Sequence, residues 1–165
     1  MGKYPGLISL FWFVIYTMLT CFFVSLFIEV GGKFDEEIKG LSQFIDRVSP
    51  KTIILIISVL MTLLGTVVAY IIAKFLLLFF VTDTKSNMSD MLIPKSLVMI
   101  VNILIITLLN LYNPSVFILT SFIGSIGILL LFQAKKKNWK VSIVFSLPFI
   151  VDASLSLAKT VASLF

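Results

Sequence analysis

The 165-residue chain contains no histidine, only one cysteine (Cys21) and few charged residues, 13% in all. The lack of histidine excludes His-based metal sites, Ser-His and Cys-His nucleophile pairs and the H-E-x-x-H motif of metalloproteases. A single cysteine excludes an intrachain disulfide and a thiolate cluster for a metal. Aspartyl chemistry requires two carboxylates in one site, and Asp152 is the one acid that lies deep in a predicted span. The sequence therefore predicts no enzyme activity, no metal and no cofactor.

Apolar residues are more abundant in this chain than in a soluble domain. They make up 59% of the sequence, and the mean hydropathy is +1.14. A soluble domain of this size leaves much of its surface in water and carries about 25% charged residues. Lipid must therefore surround most of the chain. The net charge of +5 comes from lysines in short loops between apolar segments, which indicates membrane topology and no nucleic-acid binding.

Five apolar segments predict an all-α fold, a polytopic transmembrane helix bundle that forms a single domain over residues 1–165. The first segment is too long for a signal-peptide core and ends without a small-x-small cleavage pattern, so we expect a retained helix. The third and fourth segments are short and joined by a small turn, so they form either two crossings or a re-entrant hairpin. The predicted spans are residues 7–28, 52–82, 96–112, 115–132 and 141–157.

The first loop is the longest segment outside the predicted spans. Apolar residues recur there at steps of three and four over residues 34–48, which predicts an amphipathic helix on the membrane surface. Such a helix either covers the end of the bundle or docks a partner.

The distribution of lysine and arginine predicts the orientation, because cytoplasmic loops are richer in both. We expect a multi-pass protein of a plasma membrane, with a cytoplasmic N-terminus and an extracytoplasmic C-terminus. The basic cluster after the fourth span acts as a topology anchor, as a site for anionic lipid headgroups, or as both. The richer face carries Lys3, Lys85, Lys95, Lys135, Lys136, Lys137 and Lys140; the other carries Lys33, Lys39, Arg47, Lys51 and Lys159.

Asp152 is the most unusual residue, because an ionisable group near the bilayer centre costs several kcal/mol unless it is paired, protonated or hydrated. Lys159 lies seven residues further on, two turns along the same helix face, and Lys74 is the other charge inside a predicted span. These residues form a structural pair, a path for protons or ions, or a contact with another subunit.

Small residues recur at four-residue spacing, which lets helix backbones approach closely in a membrane. Gly65, Ala69 and Ala73 mark the second span, and Gly124 lies in the fourth. We expect them to pack helices within the chain or between copies. Asn102 and Asn110 are expected to form interhelical hydrogen bonds.

The order of features resembles bacterial members of the Yip1 family of five-span membrane proteins. A loop at 34–50 leads into a long helix at 52–80, and a polar break at 83–90 is followed by the sequence Met-Leu-Ile-Pro at 91–94. A short-turn pair, a basic loop and a final helix that contains Pro148 complete the pattern. The resemblance implies five spans and supplies no site residues. The abundance of Ile, Phe, Lys and Asn also indicates a bacterial, AT-rich genome.

Two functions follow from these patterns. The first is a non-enzymatic membrane scaffold or accessory protein that binds a membrane protein, a peptide or lipid, for example in bacteriocin immunity or secretion, or that associates with itself. The second is a small transporter or channel component in which Asp152 lines a polar path.

Overall fold

The computed structural model describes residues 5–31, 49–81 and 85–162. Within these ranges the chain forms helices joined by short connections and no strand. The predicted amphipathic helix at 34–48 lies outside the described residues. The helices are α1 (Pro5–Gly31), α2 (Pro50–Phe80), α3 (Ser89–Leu109), α4 (Pro114–Lys136) and α5 (Trp139–Ala162).

All five helices are long and apolar enough to cross a membrane. The shortest, α3, has 21 residues and measures roughly 31 Å at 1.5 Å per residue, which matches the ~30 Å hydrocarbon core. With 23 residues, α4 is also long enough to cross by itself. The prediction of an all-α, multi-pass transmembrane bundle is confirmed, and α3 and α4 reach the length of full crossings.

The start of α3 was predicted too late, at residue 96, whereas the helix begins at Ser89. Asp90 lies in its first turn and accepts a hydrogen bond from the Asn87 N–H at 3.0 Å. This bond satisfies a backbone donor just before the helix, and the negative charge suits the helix N-terminus. Pro94 therefore lies inside the helix, in its second turn. Of the polar residues that read as a loop in the sequence, Ser89 and Asp90 belong to the first turn of this helix and are buried.

The turn between α3 and α4 is closed by two asparagines that act as caps. Asn110 has a left-handed backbone (φ 48°) and ends α3, while the Asn113 side chain accepts the Ser115 N–H at 2.9 Å and begins α4. The prediction of an interhelical bond is therefore wrong for Asn110, because turn geometry determines its role. For Asn102 it is confirmed, since Thr120 of α4 donates a hydrogen bond to the Asn102 Oδ1 at 2.6 Å.

The helices form a ring around a common centre. Helix α1 packs against α2 and α3, α3 against α4, α4 against α5, and α5 against α2, which closes the ring. Neighbours in the ring are antiparallel except α1 and α3, which both start at the end where α2 and α4 finish. We call this end the basic end, because it carries Lys135, Lys136 and Lys140.

The basic end is tightly packed. The Phe132 and Phe145 rings stack with centroids 4.1 Å apart, and both side chains are fully buried. Ala73 and Leu77 of α2 are also fully buried in this cluster. Close packing of α2, α4 and α5 thus forms a core near this end, and Ala73 lies within it.

The opposite end is held by aromatic side chains. The Phe27 and Tyr112 ring centroids are 4.7 Å apart, and those of Phe23 and Phe117 are 5.4 Å apart. Tyr112 lies in the connection between α3 and α4, and partial burial raises the pKa of its phenol above the ordinary value. The phenol therefore stays neutral, as suits an aromatic residue near the membrane interface.

Candidate functional site

A half-open cavity of about 530 Å³ lies between the helices of the ring. All five helices contribute to its lining, and both charged and apolar side chains face it. Its walls include the hydroxyls of Tyr16, Thr66 and Ser121. Because it lies between transmembrane helices and carries two charges, this cavity is the candidate functional site.

Lys95 brings a positive charge into this cavity. Its Nζ donates a hydrogen bond to the Thr66 Oγ1 at 3.2 Å and lies 5.6 Å from the centre of the Phe149 ring. The sequence analysis assigned Lys95 to the loops of the cytoplasmic face. That assignment is wrong, because α3 begins at Ser89 and carries Lys95 almost two turns into the bundle.

Thr66 connects three helices at the cavity wall. Besides the bond from Lys95 of α3, its Oγ1 lies 3.4 Å from the hydroxyl of Tyr16 on α1. Tyr16 and Thr66 are each 2% exposed. The ammonium group of Lys95 is thus held by a buried hydroxyl pair that sequence spacing did not indicate.

Asp152 faces the same cavity from α5. It lies three residues after Phe149, on the same helix face, and its side chain is exposed. Lys95 is the one cation among the described residues that line the cavity with Asp152. The sequence analysis did not consider Lys95 as a partner of Asp152, and the role predicted for Asp152 stays a prediction.

The two lysines predicted to partner Asp152 lie elsewhere. Lys74 is exposed on α2, and its ammonium lies 5.6 Å from the centre of the Tyr70 ring. Lys159 is exposed near the end of α5. Neither residue lines the cavity.

The small residues predicted to pack helices divide into two groups. A Cβ atom at Gly124 would overlap the side chain of Val98, so this glycine lets α3 and α4 approach closely, as predicted. Ala69 packs against the core cluster and also lines the cavity. Gly65 has no heavy atom within 4 Å of an added Cβ. Gly65 therefore faces the cavity and does not pack against a helix of the same chain, while its packing between copies stays a prediction.

A serine bridge joins α4 to α5 beside the cavity. The Ser125 hydroxyl lies 3.1 Å from the carbonyl oxygen of Phe149, to which it donates a hydrogen bond. Ser125 is 7% exposed. The bond holds the backbone of α5 next to Pro148, which is inside this helix and cannot donate a backbone hydrogen bond.

The basic cluster contains an ion pair that the sequence did not reveal. Lys135 Nζ lies 2.7 Å and 2.9 Å from the two carboxylate oxygens of Asp90, which is 4% exposed. Lys135 therefore forms a structural ion pair while its side chain stays 26% exposed, and headgroup binding by the basic cluster stays a prediction. Of the other lysines, Lys136 lies 5.9 Å from the centre of the Phe132 ring, while Lys137 and Lys140 are exposed.

In the described ranges, no group of three or more histidine, cysteine, aspartate or glutamate residues could hold a metal ion. Comparisons of the chain with family models, curated proteins and solved structures found no match. The resemblance to the Yip1 family therefore remains a prediction. A functional proposal for this chain therefore depends on the geometry of the cavity.

The Thr66 junction leads to a first prediction. Thr66→Val keeps the shape of the side chain but removes the oxygen that contacts Lys95 and Tyr16. Hydrogen bonds between membrane helices contribute on average about 0.6 kcal/mol and at most about 1.7. We therefore expect the free energy of unfolding to fall by about 1–2 kcal/mol in a reversible detergent unfolding titration.

Thr62→Val is the matched control. Thr62 also lines the cavity on α2, but its hydroxyl donates only to the Ser58 carbonyl of its own helix, at 2.8 Å. We expect its stability to stay within about 0.5 kcal/mol of the parent protein. Equal losses in both variants would contradict a special role for Thr66.

Proposed function

We propose that this protein is a small, non-enzymatic membrane transporter or channel component and that its central cavity is the polar path. The single observation behind this proposal is that Lys95 and Asp152 face one cavity bounded by all five helices. Ionisable residues inside a membrane are costly, and they mark substrate and ion paths. Two charged residues with only a structural role would not require a cavity beside them.

The chain contains a second pair of opposite charges, with which the two cavity charges can be compared. At the basic end, Asp90 and Lys135 form a closed ion pair with short contacts to both carboxylate oxygens. In the cavity, Lys95 donates to Thr66 and lines the same space as Asp152, and the two form no direct ion pair in the described part of the chain. The first arrangement is typical of a structural ion pair. The second leaves both charged groups accessible to a solute, an ion or water in the cavity.

Asp152→Asn tests the proposal. The amide keeps the size of the side chain but removes its charge and its ability to carry a proton, so we expect flux of protons or small ions into proteoliposomes to fall to background. Lys74→Met, which removes a charge outside the cavity, should leave the flux unchanged. A parent protein without flux, or full flux in Asp152→Asn, would contradict the proposal.

Binding of a membrane protein, a peptide or lipid remains a second proposal, in a scaffold or accessory role. One observation supports it: the α2 wall of the cavity includes Met61, which is 68% exposed, and Val68, which is 52% exposed. Affinity purification after crosslinking in the membrane would reveal a stoichiometric partner. A clean monomer or homo-oligomer would favour the transport proposal.

We also propose that the basic end faces the cytoplasm of a bacterial cell, with the N-terminus inside and the C-terminus outside. Since Lys95 lies in the cavity, six lysines remain on this side against five lysines and arginines on the other. Four of the six form the dense cluster at 135–140, close to the membrane ends where basic residues determine topology. The six are Lys3, Lys85, Lys135, Lys136, Lys137 and Lys140; the five are Lys33, Lys39, Arg47, Lys51 and Lys159.

Labelling of single cysteines tests this orientation. With Cys21 replaced by serine, an impermeant maleimide applied to intact cells should label Lys159→Cys and should not label Lys140→Cys. Permeabilised cells should show labelling at both positions. The reverse pattern in intact cells would invert the proposed topology.

A further inference from the structure

The charges of the central cavity balance each other. Lys95 is the one cation and Asp152 the one anion among its described lining residues. A ligand that carried only a negative charge would gain from Lys95 but would be repelled by Asp152, and a cation would meet the opposite problem. Because charges in low-dielectric surroundings are costly when unpaired, the cavity favours a ligand with both signs and no net charge.

Both charges lie close to Phe149 of α5. Lys95 Nζ is 5.6 Å from the centre of the Phe149 ring, and Asp152 follows Phe149 by three residues on the same face of α5. A ligand beside this ring therefore meets both charges, which suits an ammonium and an anionic group carried on one short body.

The walls near these charges are apolar. Val98 and Met99 of α3, Phe149 and Ala153 line the same space. The volume of about 530 Å³ corresponds to roughly 18 waters at ~30 Å³ each. This is ample for an amino acid or a dipeptide with an apolar side chain, while the Tyr16 and Thr66 hydroxyls lie beside the cation.

We infer that the central cavity binds a zwitterion, a small molecule in which an ammonium group and a carboxylate or phosphate are carried on a short, partly apolar body. The anionic group binds Lys95 beside Thr66, and the ammonium group binds Asp152. This inference rests on the proposed function and specifies the substrate class of the same site. The ligand comes either from water, as an amino acid or dipeptide, or from the bilayer, as a phosphatidylethanolamine headgroup.

Ligand-dependent thermal unfolding of the purified chain distinguishes these sources. One arm adds each of the twenty amino acids and a set of apolar dipeptides to protein in detergent. For leucine, the matched single-charge controls are 3-methylbutylamine, which lacks the carboxylate, and 4-methylpentanoate, which lacks the amine. The other arm compares nanodiscs of phosphatidylethanolamine with nanodiscs of phosphatidylglycerol.

We expect saturable stabilisation by a zwitterion in one arm and none by either single-charge analogue or by phosphatidylglycerol. A ligand present at 100 times its Kd stabilises by about 2.7 kcal/mol. Lys95→Met and Asp152→Asn should each weaken binding at least about tenfold, Lys95→Arg should retain most of it, and Lys74→Met should not change it. The melting temperature of each variant without ligand reports whether it is folded.

The inference is overturned if no zwitterion stabilises the folded parent protein, if the single-charge analogues act equally well, or if the cavity variants bind like the parent. Its failure is distinguishable from failure of the proposed function. Proton flux that depends on Asp152 without zwitterion binding would preserve the polar path and remove this inference. Binding without flux or uptake in proteoliposomes would preserve the zwitterion site and remove transport.

Discussion

Lys135→Met should lower the free energy of unfolding by about 1–3 kcal/mol, the usual cost of leaving a buried polar group without its partner. Lys135 contacts both carboxylate oxygens of Asp90, at 2.7 Å and 2.9 Å. Asp90 is 4% exposed, but the Lys135 side chain is 26% exposed, so water replaces part of the lost interaction. The Asn87 N–H remains as a donor to the carboxylate, which keeps the expected loss within this range.

The measurement is a reversible unfolding titration in mixed detergent micelles, with Lys140→Met as the matched control. Lys140 belongs to the same basic cluster and is exposed, so its replacement should change stability by less than about 0.5 kcal/mol. The double variant Asp90→Leu, Lys135→Met should recover most of the loss, because it leaves no unpaired charge. Similar effects of Lys135→Met and Lys140→Met would mean that the ion pair contributes nothing measurable.

This ion pair also explains why the sequence predicted the architecture better than the site. Five spans follow from hydropathy alone, because each apolar segment must satisfy its backbone hydrogen bonds within a helix. The start of α3 depends instead on a contact between Asp90 and Lys135, which are 45 residues apart. Without that contact, residues 83–90 read as a polar loop. Because the start of α3 was predicted one or two helical turns too late, Lys95 was assigned to the membrane surface and not to the cavity.

The order of the helices around the ring could likewise not be predicted from the sequence. Sequence neighbours pair as expected for short connections between α3 and α4 and between α4 and α5, but the contacts of α1 with α3 and of α2 with α5 close the ring. Asp152 was recognised from its cost in a membrane. Its counter-charge was not, because Lys74 and Lys95 can be ranked only when the positions of α2 and α3 relative to α5 are known.

Gly65 and Gly124 show the same limit of prediction from sequence. Their spacing predicted a helix-packing role for both. Both lie in apolar helices with other small residues at four-residue steps. In the structure, an added Cβ meets the Val98 side chain at Gly124 and meets nothing within 4 Å at Gly65. One glycine permits close contact between helices, and the other keeps the cavity open.

Leucine at these two positions should therefore have opposite effects. Gly65→Leu should fold as well as the parent protein, because the side chain enters open space and leucine favours a helix by up to about 1 kcal/mol over glycine. Its side chain would reduce the volume of the cavity that Lys95 and Asp152 also line. We expect the proteoliposome flux to fall by at least about tenfold, which corresponds to about 1.4 kcal/mol, while the melting temperature stays equal or rises.

Gly124→Leu should separate α3 from α4 at Val98 and reduce the free energy of unfolding by about 1–3 kcal/mol, the usual cost of overpacking. The Gly65→Leu and Gly124→Leu variants are measured together, with melting temperature and flux recorded for each at equal protein density. A stable Gly65→Leu variant with full flux would exclude the cavity beside Gly65 as the path. Loss of flux with loss of fold in both variants would show that Gly65 packs against a partner, which is the alternative that the scaffold proposal requires.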